Sequence, residues 1–350
     1  MSAASDVYKR QVIIGTAVGD TIGLPMEGMK PAKIAKLGWC NPLRQRFLFG
    51  IGMWSDDTDH TLHLIDSLNL SGGDPEKFRK IFSKRLQFWL STLPPGVGLA
   101  TLKSIIKQTL GFRKTGIFSA GNGPVMRAAA LGVFYPEDQE QRQLFNAIHT
   151  ELTHSDPKAL EASELIVEIA ATFTRGEAIF DLLKMVKKHS AEWQNLIQVA
   201  ESSAQDGVST EEAMERMKIN PKKGVSGYSY HTVPAVIYAG LKNDWNFRQT
   251  ITEIIALGGD TDSTAAIAGA LCALHPRAEI PDAWQSQIKE LPVSLKTLRK
   301  KCSTSDQATR FINPILWPIY LLRNLIQFAI VIVHIVLRAF PAKLVKLIIK

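Results

Sequence analysis

Ser55-Asp56-Asp57-Thr58-Asp59-His60 crowds three carboxylates and two hydroxyls into six residues, and an apolar helical pattern, Thr61-Leu62-His63-Leu64-Ile65, follows at once. Late in the chain Gly258-Gly259-Asp260-Thr261-Asp262-Ser263-Thr264 repeats the arrangement, and Ala265-Ala266-Ile267-Ala268-Gly269-Ala270-Leu271 follows it in the same way. Either knot alone reads as a helix cap, because Asp and Ser accept from free N–H groups and acids suit the first turn. Several crowded carboxylates exceed what a cap needs. They repel one another unless a proton or a cation intervenes. Oxygen-only clusters suit hard cations such as Mg²⁺, Mn²⁺ or Ca²⁺ rather than Cys/His zinc sites. Two knots brought together by folding would line a site for two cations. Helical starts at both ends of the chain, with little strand-like alternation between them, predict an all-α body in one domain.

The rest of the chain fits that frame. Val12 to Gly23 reads as a small-residue helix able to pack closely, ended by Pro25-Met26-Glu27-Gly28. Residues 31–53, rich in Gly, Pro and aromatics, read as loop. Helices are expected from the first knot to about Leu70, from Glu76 to Leu90, and to about Leu110. Ser119-Ala120-Gly121-Asn122-Gly123-Pro124-Val125-Met126-Arg127 is a glycine-rich loop running into a helix, a ready anion site. It matches neither a Walker loop nor a dinucleotide fingerprint. Arg127 could bind phosphate or pair internally. His154 lies between two helical patterns, residues 158–218 read as about three amphipathic helices, and Tyr228 and Tyr230 sit in a loop where they could stack on a ring or simply pack.

Composition bounds the function. The 350 residues are 45% hydrophobic and 21% charged, ordinary for a globular protein with a large core. Three scattered cysteines, Cys40, Cys272 and Cys302, argue against a disulfide framework. With no signal-like start, a cytoplasmic location is expected. The net charge is +8, but from Ser305 onward six basic residues face Asp306 alone, so the body is only mildly basic. No aromatic-interleaved basic stripe suggests nucleic-acid binding.

Taken together, five segments resemble the ADP-ribosylglycohydrolases, the family that includes the dinitrogenase-reductase-activating glycohydrolase and the ADP-ribosyl-arginine and ADP-ribosyl-serine hydrolases. They are Gly15 to Asp20 with Glu27, Trp54 to Thr58, Gly121 to Arg127, Thr153 to Asp156, and Gly258 to Ser263, in family order across roughly residues 10–275. The resemblance implies a compact orthogonal multi-helix fold, residues 1–303, around a central cleft holding two Mg²⁺ or Mn²⁺. It implies metal ligands at Ser55, Asp56, Asp57, Asp260, Asp262 and Ser263, and a working glutamate at Glu27. It implies ADP-ribose contacts at Gly121, Asn122, Gly123 and His154, with Tyr228 in a loosely matching ring-stacking loop. The expected activity is metal-dependent cleavage of the N- or O-glycosidic bond joining ADP-ribose to a protein side chain or related acceptor, with Glu27 or Asp57 as general base. The linkage stays open among arginine, serine, a nucleic-acid base and free ADP-ribose derivatives. The alternative is a non-catalytic ADP-ribose binder or a structural protein, since the fold also covers a lens crystallin.

Residues 304–350 lie outside the resemblance. Ile315 to Leu322 and Leu325 to Leu337 are strongly apolar and together long enough to span a bilayer, interrupted by Arg323, Asn324 and Gln327 and followed by basic Arg338, Lys343, Lys346 and Lys350. Membrane attachment through residues 311–350, spanning or lying on the surface, is the expectation.

Overall fold

The structure is a computed structural model and describes residues 3–179, 181–302, 310–341 and 345. Lys343, Lys346 and Lys350 of the basic flank lie outside the described residues. Among the described residues the chain forms seventeen α-helices and no strand. In order they are α1 (Ala3–Gly23), α2 (Pro31–Leu37), α3 (Asp56–Ser71), α4 (Pro75–Ser91), α5 (Leu99–Thr109), α6 (Val125–Phe134), α7 (Gln139–Glu151), α8 (Pro157–Thr174), α9 (Leu182–Val186), α10 (Ala191–Gln205), α11 (Thr210–Arg216), α12 (Ser229–Lys242), α13 (Phe247–Leu257), α14 (Thr261–Leu274), α15 (Asp282–Ser286), α16 (Leu295–Cys302) and α17 (Trp317–Ala339). The all-α expectation holds.

The centre of the fold is the pair α1 and α14. Every residue of α14 is buried. Gly15, Gly19 and Gly23, one turn apart on α1, face Gly269, Ala265 and Thr261. A Cβ on Gly19 would stand 1.9 Å from the Ala265 carbonyl oxygen, so only glycine allows this approach. The contact sets the two helices side by side, and α14 begins where α1 ends. Thr261 Oγ1 donates to the Gly23 carbonyl at 2.9 Å and ties the ends together. The first helix of the sequence reading and the second knot are therefore neighbours.

Two local readings need correction. Residues 31–53 are not all loop: Pro31 opens α2 at its first position, where its missing N–H costs nothing, and Gly38 closes it in the left-handed conformation. Residues 158–218 hold four helices rather than three, because the short α9 is capped by Asp181.

The tail is not separate from the body. The Phe311 and Ile312 amides donate to the buried Asp66 carboxylate at 2.7 and 3.0 Å, and α17 then runs across the body. The residues that interrupt its apolar pattern are the ones that dock. Arg323 makes a two-pronged ion pair with Glu290 at 2.8 and 2.9 Å, and Asn324 donates to Thr92. Gln327 and Arg323 each donate to the Trp54 carbonyl at 2.7 Å. His334 meets the Pro25 carbonyl at 2.8 Å.

Candidate active site

The first knot begins as a cap and ends as more than one. Ser55 has extended backbone, and its Oγ accepts from the Asp57 amide at 3.3 Å, opening α3. Its own N–H and that of Thr58 donate to Asp20 of α1, and Thr58 Oγ1 donates to the same carboxylate at 2.6 Å. Asp20 is completely buried and is the anchor that fixes the knot to α1. With Asp20 and Ser55 serving the free N–H groups, the acids at Asp56 and Asp57 are surplus to capping.

The second knot is stitched on both sides. Gly259 donates to the Met29 carbonyl at 2.8 Å and accepts from Gly28 at 2.7 Å, while the Asp260 amide donates to Val225 at 2.7 Å. Gly259 has φ +82°, and a Cβ there would lie 1.9 Å from the Val225 oxygen. These bonds bring Glu27, one residue before Gly28, beside Asp260 and Asp262.

The two knots meet. Ser263 Oγ, on the first turn of α14, donates to Asp57 Oδ2 at 3.3 Å, and Ser55 Oγ donates to the same oxygen at 3.0 Å. The two helix N-termini converge on one spot, where their dipoles favour negative charge. A cavity of about 370 Å³ opens above it. Its wall includes Glu27, Ser55, Asp56, Asp260, Asp262 and Ser263 from the acidic centre, and Gly121, Asn122, Gly123 and His154 from across the cleft. Of the metal-ligand, glutamate and ADP-ribose positions that the resemblance implied, Asp57 and Tyr228 are absent from that wall, as are Arg127 and Tyr230. Asp57 is buried beneath it. Tyr228 follows the wall residue Gly227, its hydroxyl accepts from Lys158 at 3.0 Å, and its ring packs on Tyr230 and His231.

The electrostatics are those of an uncompensated anion cluster. Burial pushes Asp57 well above the ordinary carboxylate range, and its neighbours Asp56, Asp20 and Asp260 push it further. Asp56 and Asp262 are raised in the same way, by burial first and then by the surrounding acids. Glu27 is raised by the protein that shields it and by Asp260, while Arg338 pulls the other way. Asp57 Oδ1 and Asp262 Oδ1 are buried without a hydrogen-bond partner. Unpaired buried carboxylate oxygens are costly, and a cation is one of the few things that relieves them. Among the described residues no three Asp, Glu, His or Cys side chains stand so that they could hold a metal ion as they are. The donor set nevertheless fits hard divalent cations: all oxygen, several acids, and two hydroxyls aimed at one carboxylate.

The opposite wall is neutral and shaped by glycine. Asn122 donates to Asp260 Oδ2 at 2.7 Å and its amide N–H to the Gly227 carbonyl at 2.9 Å, so it orients an acid of the second knot. His154 packs along Gly121 and Gly123; a Cβ on Gly123 would be 2.9 Å from its ring. Burial lowers His154 to about 3, so the ring is neutral, with Nδ1 on Thr153 Oγ1 at 2.9 Å. Arg127 does not reach the cavity. It is buried among Gly123 O, His60 Nδ1, His149 O and Thr153 Oγ1, and it braces the glycine loop from behind.

The family profile described as ADP-ribosylglycohydrolase matches residues 8–311, nearly the whole body. The chain belongs to the ADP-ribosylglycohydrolase family. It is 29% identical over 295 residues to an uncharacterised protein of Archaeoglobus fulgidus, covering 80% of this chain and 91% of that one. It is 27% identical to the ADP-ribosyl-[dinitrogen reductase] glycohydrolase of Rhodospirillum rubrum, over 79% of this chain and 88% of the relative. A solved structure titled ADP-ribosylglycohydrolase-related protein complex superposes with a TM-score of 0.63 at 22% identity, over 89% of this chain and 98% of that one, which shows a shared fold. The family match ends at residue 311, so α17 lies beyond the matched residues.

Three residues to which the sequence reading gave no role in the site support it. Asp20 holds the first knot; in the sequence it is an acid inside a small-residue helix and the last residue of the Gly15 to Asp20 segment. Glu290 accepts from the Trp54 amide at 2.7 Å, and Arg323 bridges Glu290 to the Trp54 carbonyl. Together they grip the residue immediately before Ser55.

Proposed function

We propose that the chain is a divalent-cation-dependent hydrolase that releases ADP-ribose from a protein side chain or related acceptor. The observation that carries this reading is the meeting of two acidic helix starts under a cavity, with buried carboxylate oxygens left unpaired. Family membership supports it, as do relatives named as ADP-ribosyl glycohydrolases.

Ser55, Asp56, Asp57, Asp260, Asp262 and Ser263 would hold two Mg²⁺ or Mn²⁺. Such ions lower the pKa of a bound water and orient hydroxyls such as those of ribose. Glycosidic cleavage passes through an oxocarbenium-like state that needs a water activated and a leaving group helped. Glu27 lines the cavity at the solvent-reached rim of the cluster, and the surrounding protein and Asp260 raise its proton affinity, which suits a general base or acid. Asp57 is sealed below the wall, and its carboxylate takes hydrogen bonds from both Ser55 and Ser263. That position suits a ligand more than a proton carrier, so Glu27 is the stronger candidate for base. Across the cleft, the Gly121 and Asn122 amides already serve Ser119 Oγ and the Gly227 carbonyl, so a pyrophosphate would be met by the open, acid-free wall of Gly123 and neutral His154, giving binding energy away from the bond that breaks. Intact acids in both knots argue against a purely structural role.

The test is release of ADP-ribose from arginine-linked and serine-linked ADP-ribosylated proteins with Mg²⁺, with Mn²⁺ and with EDTA. Metal-dependent release from one substrate supports the activity and gives the linkage. Binding of ADP-ribose without release from either would favour the non-catalytic binder.

A further inference from the structure

An amphipathic helix on a water-soluble body normally turns its apolar side inward. α17 does the reverse. Its four buried residues are Arg323, Asn324, Gln327 and His334, all polar. Leu322, Leu325, Ile326, Phe328, Val333 and Val336 are about half exposed, and from Ile319 to Val336 every exposed position on the helix is apolar. The apolar side also continues onto the body. Leu93 is 62% exposed and follows Thr92, the acceptor for Asn324. Leu291 is 69% exposed and follows Glu290, the partner of Arg323. Phe49 is 97% exposed, on a turn whose flanking Phe47 and Ile51 pack with Ile330 and Val331. Scattered exposed apolar residues need no explanation, but a continuous run along one helix with three flanking residues does.

We infer that α17 seats the protein on an anionic lipid surface, its apolar side at the acyl boundary and its polar side still docked on the body. Charge selects the occupant. From Phe311 to the last residue the sequence holds no acid, while Lys343, Lys346 and Lys350 follow the apolar run beyond the docked Arg338. That pattern complements anionic headgroups. Trp317 stands at one end of the helix and Phe340 just past the other, both partly exposed, as suits the interfacial region.

The helix is long and apolar enough to cross a bilayer, but its contacts argue for lying on one. Spanning would pull Arg323 off Glu290 and Asp59 and leave those acids without their cation. A docked helix offers lipid one side only, the arrangement of an interfacial helix sunk about 5–10 Å into the headgroup boundary. Its inward side contributes Gln327 and Val331 to the wall of the acidic cleft, and Arg338 donates to the Glu27 carbonyl at 2.9 Å. The cleft thus sits about one helix diameter, roughly 10 Å, from the lipid.

Co-sedimentation of the full chain with phosphatidylcholine vesicles, with and without phosphatidylglycerol, tests this without reference to catalysis. The expected result is binding to the phosphatidylglycerol-containing vesicles and release by alkaline carbonate. An I326E/V333E double variant should bind about a hundredfold more weakly, since two aliphatic side chains leave the lipid. Its thermal melt should be little changed, because both side chains are about half exposed and neither belongs to a buried apolar cluster. Four results would overturn the inference: no binding to either vesicle, equal binding to both, retention through carbonate extraction as a spanning helix would show, or a dimer in solution that dissociates in the double variant and never binds vesicles.

Discussion

Replacing Arg323 with methionine should be far more damaging than its place in an apolar tail suggests. The guanidinium is 7% exposed and makes two bonds to Glu290, which is 5% exposed, and one to the Trp54 carbonyl. Removing one partner of a buried pair leaves the other charge unpaired and costs about 3–5 kcal/mol. Glu290 is already raised by burial, with Arg323 the main influence pulling it down. Without Arg323 it rises further, so the folded variant takes up a proton and its deficit shrinks as pH falls toward the ordinary carboxylate range. The double variant Arg323→Met with Glu290→Leu removes the closer of the two acids left stranded. What remains is the Trp54 amide without its acceptor, about 1–3 kcal/mol, and Asp59, which keeps its bond from Trp54 Nε1 but loses the cation 3.6 Å away; Gln327 still serves the Trp54 carbonyl. The double variant should therefore be more stable than the Arg323→Met single variant. Urea unfolding followed by tryptophan fluorescence at two pH values measures all of this. A single-variant cost below about 1 kcal/mol, the worth of an exposed ion pair, would refute the docking of α17, and so would strictly additive effects.

Further outcomes follow from the site. Gly259→Ala should lower stability by several kcal/mol through its positive φ and the Val225 contact; a melt within a degree of wild type would count against the stitched second knot. Glu27→Gln should cut ADP-ribose release by about 10²–10⁴-fold while cation binding survives, and unchanged release would remove Glu27 from the chemistry. Asp260→Asn should weaken cation binding measured by calorimetry; a normal titration with normal release would take Asp260 out of the ligand set. In EDTA, stability should fall as pH rises from about 4 to 7. Asp20 is raised from 3.8 to about 7, chiefly by burial, and Asp56, Asp57 and Asp262 are raised with it. A raised folded carboxylate binds protons that the unfolded chain has already released, so folding is favoured at the acid end of that window. Mg²⁺ should flatten the slope, and a melting temperature that climbs with pH in EDTA would contradict the crowded-acid picture.

Much of this was legible in the sequence, for identifiable reasons. The knots announce themselves because helix starts need few acids and these have many. Gly258-Gly259 marks a close backbone approach, and the Gly15 and Gly19 spacing marks a close helix contact. Asp20 was hidden because an acid in a small-residue helix says nothing of the amides it will meet 35 residues later. Helix α2 was masked by the glycine and proline around it, though Pro31 is a fair start signal. The tail misled most. Arg323, Asn324 and Gln327 read as blemishes in an apolar span, yet Arg323, Gln327, His334 and Arg338 recur at intervals of four, seven and four, one stripe of a helix. That helical spacing is the sequence mark of the polar docking face, and the apolar residues around it conceal it. The role of Asn122 in orienting Asp260 depends on a contact across 138 residues, which no local pattern carries.

The most direct test strips the protein with EDTA and adds Mn²⁺ back, following bound manganese by paramagnetic resonance and ADP-ribose release in the same samples. The account predicts that both vanish with EDTA, return together with two ions bound, and are lost together in Asp57→Asn. Full release from metal-free protein, or manganese bound equally well by Asp57→Asn, would contradict the claim that the two acidic helix starts form the catalytic metal site.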